Sequence, residues 1–141
     1  MSKRIFISFD YTNDHRYKDL LVAWSKNSEF DFTFDDRTPN EIQSDDVSRI
    51  QAVLTRKINE AEYTLVIVGA ECNKLHRDWY KIGKRNWQIF EIDKSKEAGK
   101  KIIAVKLNMY NESPSELLNC NVSWAMSFTF ESIKRAIENA R

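Results

Sequence analysis

The chain has 141 residues, 22 basic and 21 acidic side chains, a formal net charge of +1 and 42% hydrophobic residues. This length suits a single domain over residues 1–141, and the balanced charge excludes a general attraction to nucleic acid or an anionic membrane. No apolar run approaches the roughly 20 residues that span a bilayer, and the N-terminal run is too short for a signal peptide. Cys72 and Cys120 lie far apart in sequence, so we expect reduced thiols and a cytoplasmic protein.

The first half of the chain alternates strand patterns with helix patterns. Residues 4–9 form a nearly continuous apolar run, which predicts a strand buried on both faces. A polar loop over residues 10–15 follows, and Asn13 or Asp14 is the expected N-cap of the next helix. The apolar positions of that helix are Tyr17, Leu20, Leu21 and Trp24. Alternating phenylalanines over residues 30–35 then predict a half-exposed second strand.

The same alternation continues to the C-terminus. A helix capped by Asp45 or Asp46 leads into Tyr63–Val68, an uncharged stretch that suits the centre of a sheet. An amphipathic helix begins near Trp87 and ends at Gly99, because glycine readily adopts the left-handed conformation of a helix C-terminus. The remaining predicted elements are an apolar strand over residues 102–107, a short strand over residues 124–128 and a helix entered at Thr129.

This order of elements predicts an α/β fold with a flavodoxin-like, doubly wound, five-stranded parallel sheet in the order 2-1-3-4-5. The connections are too long for hairpins and suit crossover helices. Ligands of such sheets bind beyond the carboxyl ends of the strands, where the strand order reverses. The predicted ligand site therefore combines residues 10–14, the segment from Gly69 onward and the helix that carries Trp87 and Glu91.

Several common chemistries are disfavoured by the residues present. The chain has three glycines, and none are spaced for a phosphate-binding loop. A phosphoacceptor receiver domain would place an aspartate after the third strand, where this chain has Gly69. Cys72, His76 and Asp78 lack a convincing fourth ligand for zinc, so no metal is expected.

Trp87 and Glu91 are four residues apart and share a helix face. A carboxylate near a helix N-terminus is favoured in its ionised form by the helix dipole, and a tryptophan beside it offers a flat apolar wall. Such a pair suits cleavage of a ribose–nitrogen bond, because the carboxylate stabilises positive charge on the sugar. The alternative is that Trp87 packs in the core and Glu91 forms an ion pair with Lys84 or Lys94. The residues alone leave both interpretations open.

Four segments of the chain resemble a known family. The segments KRIFISFDYTND, TLVIVG, W-x-x-x-E-I and GKKIIAVKL resemble the TIR-like (Toll/interleukin receptor-like) family of bacteria, in particular the branch that includes the TIR protein of Thoeris antiphage systems. The resemblance covers nearly the whole chain and implies the TIR-like version of the predicted fold. It also implies an enzyme that cleaves NAD+, releases nicotinamide and makes an ADP-ribose-derived signalling nucleotide, either cyclic or joined to an acceptor. NAD+ would then be the substrate, no metal would be needed, and the partners would be a second copy of the chain and a separate effector protein reached by the diffusible nucleotide.

The resemblance further implies roles for individual residues. Glu91 matches the catalytic glutamate of the family. The residues that match its nucleotide pocket are Ser8, Phe9, Asp10, Tyr11, Asp36 and Trp87. Asp10 stands where some relatives have histidine, which bears on the product, and residues 72–85 form a longer segment than in relatives.

Two other functions remain open at this stage. Many TIR domains only assemble with one another, so the chain also fits a non-catalytic interaction module. A nucleoside-processing transferase uses a similar sheet and a carboxylate nucleophile. Turnover of NAD+ or of free nucleosides distinguishes these three hypotheses.

Overall fold

A computed structural model of the chain describes residues 3–27, 32–35 and 46–140. Within these ranges, five strands and five α-helices follow one another along the chain. The strands are β1 (Lys3–Ser8), β2 (Phe32–Asp35), β3 (Tyr63–Val68), β4 (Lys101–Lys106) and β5 (Val122–Ala125). The helices are α1 (Tyr11–Trp24), α2 (Val47–Glu60), α3 (Trp79–Ile82), α4 (Trp87–Glu97) and α5 (Phe130–Asn139).

The five strands form one parallel sheet in the order β2-β1-β3-β4-β5, which confirms the predicted architecture and strand order. In the middle of the sheet Ile5 of β1 pairs with Phe34 on one side and with Tyr63 on the other. The strand order reverses between β1 and β3. The carboxyl ends of these two strands therefore border the crevice in which doubly wound sheets bind ligands.

Alternate residues of each strand pack on opposite faces of the sheet. Ile5 and Ile7 lie in a cluster with residues of α1 and α5, such as Leu21 and Ile137. Phe6 lies on the opposite face, in a cluster with residues of α2 and α4. This alternation places the side chain of Ser8, two residues after Phe6, on the face that α4 covers.

The structure corrects two predicted boundaries. The helix α1 begins at Tyr11 and is capped by Asp10, not by Asn13 or Asp14, because the Asp10 carboxylate accepts hydrogen bonds from the backbone N–H groups of Thr12 and Asn13. Strand β5 covers Val122–Ala125, slightly earlier than predicted.

The other predicted helix ends are confirmed. Asp46 caps α2, Thr129 caps α5, and Gly99 has a positive φ of 68° just beyond α4. Among the described helices, none combines the length and the apolar character that a membrane span requires.

Candidate functional site

A cavity of about 350 Å³ lies beyond the carboxyl ends of β1 and β3. Three parts of the chain line it: residues 9–13 at the start of α1, Glu71 with residues 74–77 after β3, and residues 86–88 at the start of α4. The fold thus brings together the three segments in which the sequence analysis places the ligand site.

Glu91 is not among the residues that line this cavity, and it lies on α4 one helical turn after Gln88, which does line it. Its side chain is 3% exposed, and its Oε1 accepts a hydrogen bond of 2.7 Å from the Ser8 hydroxyl. Ser8 is the last residue of β1 and is fully buried, so its hydroxyl orients the carboxyl group of Glu91 and does not line the cavity. The two predicted site residues are therefore in direct contact, although 83 positions separate them in sequence.

Burial controls the charge of Glu91. Desolvation raises the pKa of its carboxyl group from 4.5 to about 8, and the hydrogen bond from Ser8 opposes this rise. The expectation that the helix dipole keeps Glu91 ionised is therefore wrong. Glu91 is the fifth residue of α4, where the dipole has already weakened, and the loss of water outweighs it. At neutral pH the free site holds Glu91 mainly in its protonated form.

Glu91 has no ion pair among the described residues. The two lysines proposed as its partners are used elsewhere: Lys84 pairs with Asp93 at 2.8 Å, and Lys94 pairs with Glu97 at 3.2 Å. The interpretation of Glu91 as one half of a surface salt bridge is therefore wrong.

Trp87 contributes both to packing and to the cavity. It is half-buried, its ring meets the ring of Phe90 edge-on with centroids 5.6 Å apart, and it lines the cavity. The core and pocket interpretations of this residue are thus compatible.

Asp10 and Tyr11 lie at the edge of the cavity. The carboxylate of Asp10 accepts hydrogen bonds from Thr12 N at 3.1 Å and from Asn13 Nδ2 at 2.7 Å, so capping of α1 already occupies it. The ring of Tyr11 is partly exposed and lies 6.3 Å from the buried ring of Phe9. Asp36, the remaining predicted pocket residue, lies outside the described residues.

Gln88 is a cavity residue that the sequence analysis missed. It is 4% exposed, and its Nε2 donates hydrogen bonds to the carbonyl oxygens of Ser8, at 3.1 Å, and of Ile67, at 2.7 Å. It therefore ties the start of α4 to the ends of β1 and β3. The available signal was its place between Trp87 and Glu91, one helical turn before the latter.

Asp14 is a second buried carboxyl group near this end of the sheet. It is 6% exposed, and burial, reinforced by the negative charge of Asp10, raises its pKa to about 6. A Cβ at position 69 would overlap the Asp14 carboxylate, so a larger residue there would force the buried Asp14 side chain to move. The sequence analysis used Gly69 to disfavour a receiver domain and to mark the start of a predicted site segment, and it did not identify the contact with Asp14.

Side-chain hydrogen bonds hold the segment between β3 and α4 in place. Asn86 Nδ2 donates to the carbonyl oxygens of Cys72 and Lys74, at 2.9 and 2.8 Å, while its Oδ1 accepts from Ile89 N and caps α4. The same side chain thus fixes the cavity wall and the helix that carries Glu91.

A second attachment joins this segment to the loop after β4. Arg85 donates to both carboxylate oxygens of Glu116, at 2.9 and 2.8 Å, and to Asn73 Oδ1 at 3.0 Å. The predicted longer segment is therefore an ordered wall of the cavity.

The cavity rim carries charges of both signs. Lys74 and Arg77 line the cavity, as do Asp10 and Glu71. The basic side chains suit the phosphate groups of a nucleotide. In the described part of the chain, no three His, Cys, Asp or Glu residues are grouped to hold a metal ion.

A larger groove of about 830 Å³ lies between α2 and α4. Its lining includes Gln51, Arg56, Phe90 and Glu97, and it is formed by the helices on one face of the sheet. It is therefore separate from the strand ends where the other cavity lies.

Solved structures with the same fold include enzymes that act on nucleosides and nucleotides. The CMP N-glycosidase BcmB of Clostridium botulinum is 14% identical, with a TM-score of 0.61 over 96% of this chain and 98% of that one. A 2-deoxyribosyltransferase of Bacillus psychrosaccharolyticus is 15% identical, with a TM-score of 0.57 over 96% and 90% of the two chains. A prokaryotic SEFIR domain is 17% identical, with a TM-score of 0.57 over 97% and 88%. At these identities the likeness is one of fold.

The sequence itself identifies the family. The comparison with curated proteins gives no match. The family model of the Thoeris protein ThsB, TIR-like domain, matches residues 6–112, which run from the second half of β1 to beyond β4 and include the whole of the cavity lining. The chain therefore belongs to the family of Thoeris ThsB TIR-like domains.

Proposed function

We propose that this TIR-like domain cleaves the bond between nicotinamide and ribose in NAD+ and converts the ADP-ribosyl group into a signalling nucleotide for a separate effector protein. The observation that carries the proposal is Glu91, a buried carboxyl group that accepts a hydrogen bond from Ser8 and lies one helical turn after Gln88, which lines the cavity at the carboxyl ends of the strands. Buried carboxyl groups with a raised pKa concentrate at functional sites. At other positions they would lower the stability of the protein without serving a function. The family membership of the chain supports the same class of activity.

The proposed reaction uses Glu91 to stabilise the ribosyl cation. The ribose C1–nitrogen bond breaks, and its electron pair passes to the nicotinamide nitrogen, which neutralises the cationic ring. Positive charge then develops on the ribose ring, where a nearby carboxylate stabilises it. Water or a hydroxyl group adds to C1 and loses its proton to solvent, which gives ADP-ribose or a product derived from it.

Substrate binding favours the ionised form of Glu91. Its pKa of about 8 in the free protein leaves the carboxyl group mainly neutral at pH 7. The nicotinamide ring of NAD+ is positively charged, and an opposite charge nearby lowers the pKa of a carboxyl group. The hydroxyl of Ser8 donates to Oε1 and also supports the carboxylate.

The cavity lining suits the remaining parts of NAD+. Phe9 and Trp87 provide aromatic surface for the nicotinamide ring, and Lys74 and Arg77 provide positive charge for the pyrophosphate. Asp10 also lines the cavity, and the lone pairs of its carboxylate that capping of α1 leaves unused would accept hydrogen bonds from hydroxyl groups of the nucleotide or of an acceptor. Glu91 is only 3% exposed. A side chain that covers Glu91 must therefore move before the ribose can reach its carboxyl group.

Replacement of Glu91 by glutamine tests the proposal. Glu91→Gln keeps the size of the side chain and an acceptor for Ser8 but removes the ionisable group, so we expect nicotinamide release from NAD+ to fall roughly a hundredfold or more. Glu97→Gln is the matched control, because Glu97 lies on the same helix, is exposed and does not line the cavity. Both variants and the native protein are incubated with NAD+ at high protein concentration, and nicotinamide and nucleotide products are measured by mass spectrometry. Equal rates for Glu91→Gln and the native protein would disprove the mechanism.

A second candidate is cleavage of the base–ribose bond in other nucleosides or nucleotides. The observation that favours it is the shared fold with a CMP N-glycosidase and with 2-deoxyribosyltransferases, over nearly the whole chain in each case. Release of cytosine from CMP, or of bases from free nucleosides, without release of nicotinamide from NAD+ would favour this candidate. A non-catalytic assembly module instead predicts no turnover of any of these compounds at any protein concentration.

A further inference from the structure

The amide group of Gln88 has a fixed orientation. Its Nε2 donates to two backbone carbonyl oxygens, those of Ser8 and Ile67, at 3.1 and 2.7 Å. Only the NH2 end of a glutamine side chain donates hydrogen bonds, and a flipped amide would set its oxygen against two carbonyl oxygens. The hydrogen-bond pattern therefore identifies which end of the amide faces the strands.

The other end of this amide has no partner. Oε1 of Gln88 is buried and accepts no hydrogen bond from the described residues. It branches from the same carbon as Nε2, so it points away from the ends of β1 and β3 that Nε2 contacts. Buried amide oxygens nearly always have a hydrogen-bond partner in folded proteins, so this acceptor suits a donor that a ligand brings.

Gln88 and Glu91 occupy adjacent positions on the same helix face. Residues three apart in an α-helix have Cβ atoms about 5–6 Å from each other. Ser8 links them further, because its carbonyl oxygen accepts from Gln88 while its hydroxyl donates to Glu91. Gln88 lines the cavity, whereas Glu91 is buried one helical turn further along α4 and does not line it.

The proposed reaction places a hydroxyl group near this acceptor. If Glu91 acts on C1 of the ribose, the 2-hydroxyl, which is bonded to the neighbouring carbon, is also close to the Glu91 carboxyl group. Gln88 lies one helical turn from Glu91, so this hydroxyl is within reach of its amide. A hydroxyl donates one hydrogen bond, which matches a single unpaired amide oxygen. A sugar without this hydroxyl would leave Oε1 buried and unpaired, and such sites reject substrates that lack the bonding group.

We propose that Oε1 of Gln88 accepts a hydrogen bond from the 2-hydroxyl of the ribose that bears the leaving base, and so selects ribonucleotides over their 2-deoxy analogues. This inference rests on the proposed function for the position of the ribose. It assigns Gln88 a role in substrate selection that is separate from the role of Glu91 in bond cleavage.

The test compares NAD+ with the analogue that lacks the 2-hydroxyl on the nicotinamide ribose. We expect the native protein to prefer NAD+ in kcat/KM, and Gln88→Met to reduce the preference about two- to tenfold, the effect of one neutral hydrogen bond. Gln51→Met is the matched control, because Gln51 Nε2 also donates to a backbone carbonyl, that of Ile82 at 2.8 Å, but lies in the groove between α2 and α4. This control is expected to keep the native preference.

A second variant separates the acceptor from the contacts with the strands. Gln88→Met also removes both hydrogen bonds of Nε2, whereas Gln88→Glu removes the amide donors and keeps an acceptor oxygen. We expect Gln88→Glu to retain most of the preference for the 2-hydroxyl. An equal loss in Gln88→Met and Gln88→Glu, or no preference in the native protein, would overturn the inference. If Gln88→Met does not fold, as judged by thermal denaturation, Gln88→Leu, which also lacks a hydrogen-bonding group, replaces it in the comparison with Gln88→Glu.

Calorimetric binding of both nucleotides to Glu91→Gln, with and without Gln88→Met, distinguishes this inference from the proposed function. The inference would be supported, and the proposed function contradicted, if NAD+ bound more tightly than the 2-deoxy analogue only when Gln88 is present and the native protein released no nicotinamide. Nicotinamide release by the native protein, with an unchanged preference for NAD+ in Gln88→Met, would support the proposed function and contradict the inference. Failure of both nucleotides to bind would overturn both.

Discussion

Glu91 destabilises the folded protein at the pH where it would be ionised. Its carboxyl group is 3% exposed and receives one hydrogen bond, from Ser8, among the described residues. A buried carboxylate without a positive partner is costly, and the protein responds by holding the group protonated, with a pKa of about 8. A residue of this kind contributes little to the fold, which is consistent with a role in chemistry.

The raised pKa of Glu91 predicts a pH dependence of stability. Between pH 4.5 and about 8 the folded state retains a proton that the unfolded state has lost, so the free energy of unfolding falls as the pH rises through this window. Glu91→Gln removes this contribution, and we expect the variant to gain about 1–3 kcal/mol relative to the native protein on going from pH 5 to pH 8. Urea denaturation of both proteins at several pH values measures this difference.

Two features of the design isolate Glu91. The pKa of Asp14 is also raised, to about 6, but this group is present in both proteins and its contribution cancels in the difference. Glu97→Gln, which changes an exposed side chain on α4, is expected to show no such pH dependence. The prediction would be contradicted if the free energies of unfolding of Glu91→Gln and the native protein differed by the same amount at pH 5 and at pH 8.

The segment between β3 and α4 works as a fixed wall because its polar groups are satisfied by other parts of the chain. Asn86 binds its backbone at Cys72 and Lys74, and Arg85 joins it to Glu116 beyond β4. Loops usually lie over the surface with weaker attachments. Here the hydrogen bonds of Asn86 and Arg85 fix this segment, which carries the basic residues of the cavity lining, relative to α4.

Loss of the bidentate Arg85–Glu116 contact tests this role. Arg85→Lys keeps the charge but cannot present two parallel N–H donors, so we expect the free energy of unfolding to fall by about 1–2 kcal/mol and KM for NAD+ to rise. Arg56→Lys is the matched control, because Arg56 is exposed and meets Glu60 at 4.0 Å within one helix, where such pairs contribute about 0.5 kcal/mol or less. Similar effects of the two substitutions on KM would show that the attachment does not shape the cavity.

At the scale of the whole molecule, two concave surfaces formed by the described residues are candidate ligand sites. The larger, of about 830 Å³, lies between α2 and α4, and the smaller, of about 350 Å³, lies at the carboxyl ends of β1 and β3. Topology favours the smaller one, because the strand order reverses there and the N-terminal ends of α1 and α4 line it.

Nuclear magnetic resonance of the 16.6-kDa protein can locate the site directly. On addition of NAD+ to the Glu91→Gln variant, which is expected to be inactive, we expect amide shifts at residues 9–13, 74–77 and 86–88. The groove residues Gln51, Arg56 and Glu97 serve as the internal control and are expected to stay unchanged. Shifts concentrated in the groove would place the nucleotide between α2 and α4, away from the cavity at the strand ends, and would contradict the proposed site.

The sequence alone determines the architecture and the general position of the site. Hydrophobic periodicity and the alternation of strands and helices predict the five-stranded parallel sheet and its order, because these patterns reflect short-range geometry that every strand and helix repeats. The same reasoning places Trp87 and Glu91 at the ligand edge. It misses the start of α1, because Asp10, Asn13 and Asp14 are all good capping residues and only the surrounding backbone selects among them.

Only the tertiary structure decides the chemical state of the site. The sequence predicts that Glu91 is ionised near a helix N-terminus. Packing instead buries it against Ser8, 83 positions away, and raises its pKa to about 8. Gln88 gains its significance in the same way, because its amide is oriented by carbonyl oxygens of two different strands. Local pattern contains no information about desolvation or about partners distant in the chain, and both depend on how α4 packs across the ends of β1 and β3.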